Sequence, residues 1–181
     1  MSRIAVPARE AAPAAAQPLL DAVEKQLGVV PNLYRLIALS PPVLQGVLGL
    51  SGALAKTLNV KTRERIALAV AQINGCDYCL SAHTYLGLNL AKIDAGEIAL
   101  NRRGASSDPM ANAAVAFAAE VTRSRGQVSD ADIAAVRAAG FSDAQIVEIV
   151  GVVVENVFTN FLNNVAGTEI DFPVVRAAEL A

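Results

Sequence analysis

The chain has 181 residues, 54% of them apolar, and 15 Lys and Arg against 17 Asp and Glu give a net charge of −2. That length suits one domain with a real core, and the charge balance, with only three Tyr and five Phe, excludes a polybasic surface with stacking rings; no nucleic-acid partner is expected. Residues 1–16, with Pro7 and Pro13 among alanines, make neither an export signal nor a spanning segment, and read as an arm, mobile or laid on a neighbour, ahead of a single helical domain over residues 17–181.

Period-two runs bounded by hairpin dipeptides are scarce, whereas alanine-rich stretches at helical spacing recur throughout, so the expected fold class is all-α. A first helix spans residues 18–27 and closes at Gly28, and a short one follows over residues 31–38. Ser40 caps a long apolar helix reaching Lys56, with Pro41 and Pro42 in its first turn, where a missing N–H costs nothing. Asn59 caps the next helix, Asn74-Gly75 stops it, and another runs from Cys76 to Gly87. Helices over residues 90–101, over 109–125 behind Ser107-Asp108, and over 130–139 behind Ser129 come next, with Gly104 and Gly140 as stops. The last helix opens on a capping box, Ser142 with Gln145, stapled by Phe141 on Ile146, and reaches Asn163-Asn164.

The most apolar part of that helix, Ile146 to Leu162, carries Glu148, Glu155, Asn156 and Asn160, each costly in hydrocarbon. It reads as a buried helix of a soluble protein, with no membrane partner. Asn156 and Asn160, one turn apart, read either as groups that reach the active-site face or as groups that satisfy helix ends at an interface, and the second reading is preferred. The tail from Gly167, with Asp171-Phe172-Pro173, reads as an extended segment that packs on another subunit.

Both cysteines and the only histidine fall in one window, Cys76-Asp77-Tyr78-Cys79-Leu80-Ser81-Ala82-His83. A Cys-x-x-Cys pair at a helix start can cycle between dithiol and disulfide, and the helix dipole lowers the pKa of one thiol. His83, four residues after Cys79, shares its helix face and can exchange a proton with that sulfur. On one straight helix Glu64 and His83 would stand roughly 28 Å apart. If the chain reverses at Asn74-Gly75, Glu64 lies about 16 Å before the turn and His83 about 12 Å after it, so an antiparallel hairpin brings them within a turn of each other. The candidate relay runs from Glu64 to His83 to Cys79, with Cys76 closing the disulfide. Tyr78 reads equally as packing and as a neighbour of the site. Two thiolates, an imidazole and a carboxylate are also an acceptable zinc set, though structural zinc sites draw ligands from loops or paired knuckles, so no metal is expected. A redox-sensing helical oligomer without turnover uses the same residues. Two cysteines without an export signal fit a cycling pair in a reducing cytoplasm.

Glu64, Cys76-x-x-Cys79 and His83 at these spacings, with Thr62-Arg63-Glu64-Arg65, Ile66-Ala67-Leu68-Ala69-Val70 and Asn74-Gly75-Cys76-Asp77-Tyr78-Cys79, resemble the alkylhydroperoxidase D-like, peroxidase-related members of the carboxymuconolactone decarboxylase superfamily. The resemblance covers residues 40–90. It implies a helical subunit assembled as a homotrimer or homohexamer. It also implies a thiol peroxidase of antioxidant defence that reduces small organic hydroperoxides with a dithiol reductant or adaptor and no metal, haem or flavin cofactor. By position, Cys79 matches the family's peroxide-attacking cysteine, Cys76 its resolving cysteine, and His83 with Glu64 its proton-relay pair. The family's best-known branch has a further histidine just before the attacking cysteine; Tyr78 stands there in this chain. The namesake lactone decarboxylase chemistry is the alternative within the superfamily, and it has no need of a cycling dithiol.

Overall fold

A computed structural model describes residues 2–179 and, among them, nine α-helices and no strand. They are α1 (Gln17–Leu27), α2 (Asn32–Ile37), α3 (Pro41–Leu54), α4 (Val60–Ile73), α5 (Asp77–Asn89), α6 (Ala95–Arg102), α7 (Pro109–Ser124), α8 (Asp130–Ala138) and α9 (Asp143–Ala166). The all-α expectation holds, and so does the helix hairpin that carries both cysteines.

Helix α4 is the axis of the bundle. Ile66, Ala67, Leu68, Ala69, Val70 and Ala71 are buried in unbroken succession, because α5, α6, α7 and α9 pack around it. A helix covered on all sides cannot be amphipathic, and its alanines let the neighbouring backbones approach closely. One core cluster joins α4 to α7, α8 and α9 through Ile66, Val70, Phe117, Val136, Ile149 and Val153. A second surrounds the cysteines with Leu68, Tyr78, Leu80, Ile93 and Ile98.

Most helix ends follow the capping residues. Asn59, Asp94, Asp108, Ser129 and Ser142 each accept a backbone N–H of the first turn, and Phe141 and Ile146 share a core cluster as the staple requires. The structure corrects several boundaries. Ser40 precedes α3 without a side-chain capping bond, so the proline-bearing first turn starts that helix. Helix α5 passes Gly87 and ends at Asn89. Residues 90–94 form a turn in which Lys92 takes a left-handed conformation (φ 54°), and Asp94 delays the start of α6 to Ala95. Helix α9 continues to Ala166, where Gly167 ends it at φ 61°.

Both terminal segments lie on their own chain. Ala12 and Ala16 are buried with Leu20, Ile37 and Leu44, while the Arg3 guanidinium donates to the Asn164 and Val165 carbonyls at 3.0 Å each. The tail, expected on another subunit, straps the α5 surface of its own. Ala177 N–H donates to Asp77 at 2.8 Å, Val175 N–H to the Ser81 hydroxyl at 2.9 Å, and Ile170, Phe172 and Val175 pack on the cysteine cluster. Asp171 in turn accepts the Asn32 N–H at 2.7 Å. Helix α9 is long and apolar enough to cross a membrane by length and composition alone. It was expected to be buried, and only one face is: Ile149, Val152, Asn156, Asn160 and Asn163 point inward, while Val147, Val154, Phe161 and Val165 form an exposed apolar stripe.

One buried anchor gave no sequence signal. Glu97 accepts from the Asn101 amide (3.0 Å), the Ser107 N–H (3.0 Å), and the hydroxyls of Ser107 (2.7 Å) and Ser106, with Arg65 of α4 at 3.5 Å. Burial pushes its carboxyl up, but these donors outweigh burial and hold it down to about 2. Such a group stabilises the fold fully above its unfolded value near 4.5, and the contribution is lost as pH falls through about 2. Glu97→Gln should therefore cost about 2–4 kcal/mol at neutral pH in urea unfolding. The difference from wild type should shrink steadily on acidification below pH 4, and a constant gap would contradict this.

Candidate active site

The α4–α5 reversal depends on two adjacent residues. Asn74 closes α4, and Gly75 adopts a left-handed φ of 61°, which turns the chain without a Cβ penalty. Helix α9 pins the turn: Asn74 donates its amide to Asn160 Oδ1 at 3.0 Å, and Asn164 donates to the Asn74 carbonyl at 3.0 Å. With the hairpin closed, His83 Nδ1 meets Glu64 Oε2 at 2.8 Å. Of the residues named from the sequence, Glu64, Tyr78, Cys79 and His83 line one cavity, and Cys76 lies outside that lining, fully buried.

Cys76 is the N-cap of α5, its sulfur accepting the Cys79 N–H at 3.4 Å. Both thiols are free. The pair polarises itself: Cys76 directs its S–H to Cys79, which pulls the Cys79 thiol below its ordinary value and pushes the Cys76 thiol up. Burial opposes the fall at Cys79, but the nearby His83 charge and the Asn163 and Asn160 amides reinforce it. Asn163 Nδ2 donates to the sulfur at 3.3 Å. The imidazole is tuned the other way. Burial alone would lower it, yet the Glu64 carboxylate, with the Cys79 charge behind it, holds it up at about 9. The site therefore favours a thiolate beside an imidazolium at neutral pH.

The cavity has a volume of about 340 Å³. Its walls are mainly apolar, from Leu33, Val60, Leu86, Val152 and Phe172, and its rim carries the exposed Leu27, Val29, Tyr85 and Leu90. Tyr78 packs edge-on against Phe172 of the tail, ring centroids 5.9 Å apart, and its hydroxyl accepts the Leu33 N–H at 3.1 Å. Burial raises the Tyr78 phenol, so it stays neutral and helps fix α2 and the tail around the cavity.

A comparison with curated proteins gives no significant match. The sequence profile of the carboxymuconolactone decarboxylase family matches residues 41–123, which hold the whole α4–α5 hairpin. Among solved structures, the chain is similar to an uncharacterized peroxidase-related protein with an alkylhydroperoxidase AhpD core from Ralstonia eutropha JMP134. The TM-score is 0.82 at 27% identity, covering 94% of this chain and 92% of that one. Residues 41–123 thus carry the sequence signature of the carboxymuconolactone decarboxylase family, on the fold of alkylhydroperoxidase D-like proteins. A second uncharacterized peroxidase-related protein of this kind, from Silicibacter sp. TM1040, has a TM-score of 0.80 at 26% identity, covering 93% of this chain and 91% of the other. The debrominase Bmp8, solved with 2,3,4-tribromopyrrole, shares the fold at 18% identity and TM-score 0.77, over 94% of each chain. One helical frame is thus shared by this chain, the peroxidase-related proteins and a debrominase.

The asparagines of α9 correct the sequence reading. Asn160 is fully buried at the hairpin turn and beside Cys79, Asn156 lines the cavity, and Asn163, never singled out, donates to the sulfur. The signal was present as polar residues at positions 156, 160 and 163, a helical stripe on an otherwise apolar helix. Asn163→Leu removes the donor at nearly constant volume. The pH midpoint of Cys79 alkylation should rise by about one unit in that variant. An unchanged midpoint in a folded variant would remove Asn163 from the account of thiol acidity.

Proposed function

We propose that this chain is a thiol-dependent peroxidase that reduces organic hydroperoxides in antioxidant defence, with Cys79 as the attacking and Cys76 as the resolving sulfur. The observation that carries the reading is the asymmetry of the pair: the acidified thiol lines the cavity, and the other is buried behind it with its proton held. A thiolate is the nucleophile in peroxide cleavage, so the sulfur that meets the substrate is the one that is ionised. His83, oriented by Glu64, takes the Cys79 proton. The peroxide O–O bond breaks as the S–O bond forms, giving the Cys79 sulfenic acid and an alcohol. Cys76 then condenses with the sulfenic acid, releasing water and leaving a disulfide for a dithiol reductant. The apolar cavity walls support an organic peroxide over hydrogen peroxide. A dithiol that is reduced again after each turnover fits a cytoplasmic setting.

Among the described residues no group of three or more His, Cys, Asp and Glu converges as a metal-binding set, and Glu64 is already engaged with His83. One equivalent of cumene hydroperoxide should remove two daltons from the reduced protein, mapped to a Cys76–Cys79 disulfide. Cys79→Ser should consume no peroxide, while Cys76→Ser should stop at a sulfenic acid that a dimedone probe captures. Wild-type single-turnover rates in Cys79→Ser would overturn the assignment.

The same reading includes a homotrimer or homohexamer. The α9 stripe, Val147, Val154, Phe161 and Val165, lies exposed, and Val43 and Leu50 of α3 with Val154 and Phe158 line an apolar groove beside it. A continuous apolar surface of this kind is unfavourable in water and suits another copy of the same chain. Sedimentation at micromolar concentration should give three or six subunits, and Val154→Glu with Phe158→Glu should release monomers. A wild-type monomer would exclude this assembly.

A further inference from the structure

The cavity holds a second carboxyl that the peroxidase reading leaves unused. Glu155 of α9 is half-buried and lines the same wall as Glu64, Cys79 and His83. Every element around it contributes a facing group: Tyr34 from α2, Ser51 from α3, Arg63 and Glu64 from α4, and His83 from α5. These groups are already engaged elsewhere or neutral. Arg63 donates to the Ala55 carbonyl at 3.2 Å and to the Leu58 carbonyl, Glu64 is bonded to His83, and the Tyr34 phenol is pushed up to about 12, chiefly by burial. Among the described residues no ion pair within 4 Å holds Glu155.

We propose that Glu155 is a second acid–base group of this cavity, the one that gives the departing alkoxide its proton. The inference rests on the peroxidase reading above. With Cys79 as thiolate and the Glu64 carboxylate beside it, the His83 imidazolium and the Arg63 guanidinium already answer two negative charges, and a third in an apolar cavity is unfavourable. Burial raises the Glu155 carboxyl above its ordinary value, so it holds its proton more readily than an exposed glutamate beside that ion pair. The step balances without outside protons. Cys79 S⁻ attacks the terminal oxygen of ROOH, the S–O bond forms, and the O–O electron pair leaves on RO⁻. Sulfur is oxidised to the sulfenic acid and the peroxide is reduced. Glu155 protonates RO⁻ to ROH and recovers its proton from the His83 imidazolium, which holds the one Cys79 gave up. The sum is Cys79–SH plus ROOH giving Cys79–SOH plus ROH.

The test varies the leaving group. tert-Butyl hydroperoxide expels an alkoxide that needs a proton, whereas peracetic acid expels acetate, which does not. In Glu155→Gln the single-turnover oxidation of Cys79 by tert-butyl hydroperoxide should fall about a hundredfold, with the peracetic acid rate within about twofold of wild type. Glu155→Asp, which keeps an acid, should recover part of the loss, and the thiol alkylation midpoint should stay near wild type in both variants. Equal losses on the two oxidants, or no loss on either, with an active wild type would overturn this inference and leave the peroxidase reading standing. A wild type inert to both oxidants would overturn the two together.

Discussion

The site depends on how tightly the chain reverses between α4 and α5. Gly75 supplies the left-handed turn, and α9 holds it by amide bonds to and from Asn74. Without that closure Glu64 and His83 belong to separate helices and have no reason to meet. With it, a carboxylate and an imidazole stand 2.8 Å apart inside the bundle, and the helix that begins at Cys76 aims its first turn at the same place. Helix α4 can serve as the central strut because small alanines and aliphatic residues alternate through its buried run, letting four neighbours pack at once.

The electrostatic design follows from enclosure. A lone thiolate in such surroundings would be strongly disfavoured, so charges and donors are grouped around it. Cys76 and Asn163 donate toward the sulfur while the imidazolium answers its charge, and Glu64 answers the imidazolium. Each member raises the probability of the charged form of the next. Tyr78 stays neutral and ties α2 and the tail to the cavity wall, so the acidity of Cys79 is set first by Cys76, with His83 and the α9 amides behind it.

Local chemistry was legible where a single residue type has one dominant use. Asn59, Ser129 and Ser142 act as caps, and Gly28, Gly75 and Gly140 all adopt left-handed backbone at the expected stops. The Glu64–His83 contact was legible because a reversal at Asn74-Gly75 leaves helices of matched length on either side. What could not be read depended on which distant surfaces meet. Nothing local tells that Asn163 would face a sulfur 84 positions earlier, or that Glu97 would gather two serines and an asparagine. The start of α6 was misplaced because Leu90 and Ala91 look helical, while the cap that decides the matter is Asp94. The tail was assigned to a neighbour because an extended apolar segment carries no mark of whose groove it fills.

That tail has a bearing on the order in which the molecule assembles and comes apart. Its bonds to Ser81, Asp77 and Asn32 span 94, 100 and 139 positions, whereas the α4–α5 hairpin closes over a turn of a few residues. Contacts of long separation form after local ones, since the loop they close is costly until the rest is in place. Helix docking therefore precedes the laying down of residues 170–177, and the reverse opening removes the strap first. A partially opened molecule would thus keep its bundle and its Glu64–His83 pair while baring the α5 surface over both sulfurs. The two cysteines are thus covered by the least cooperative layer of the fold even though they lie among its most enclosed atoms.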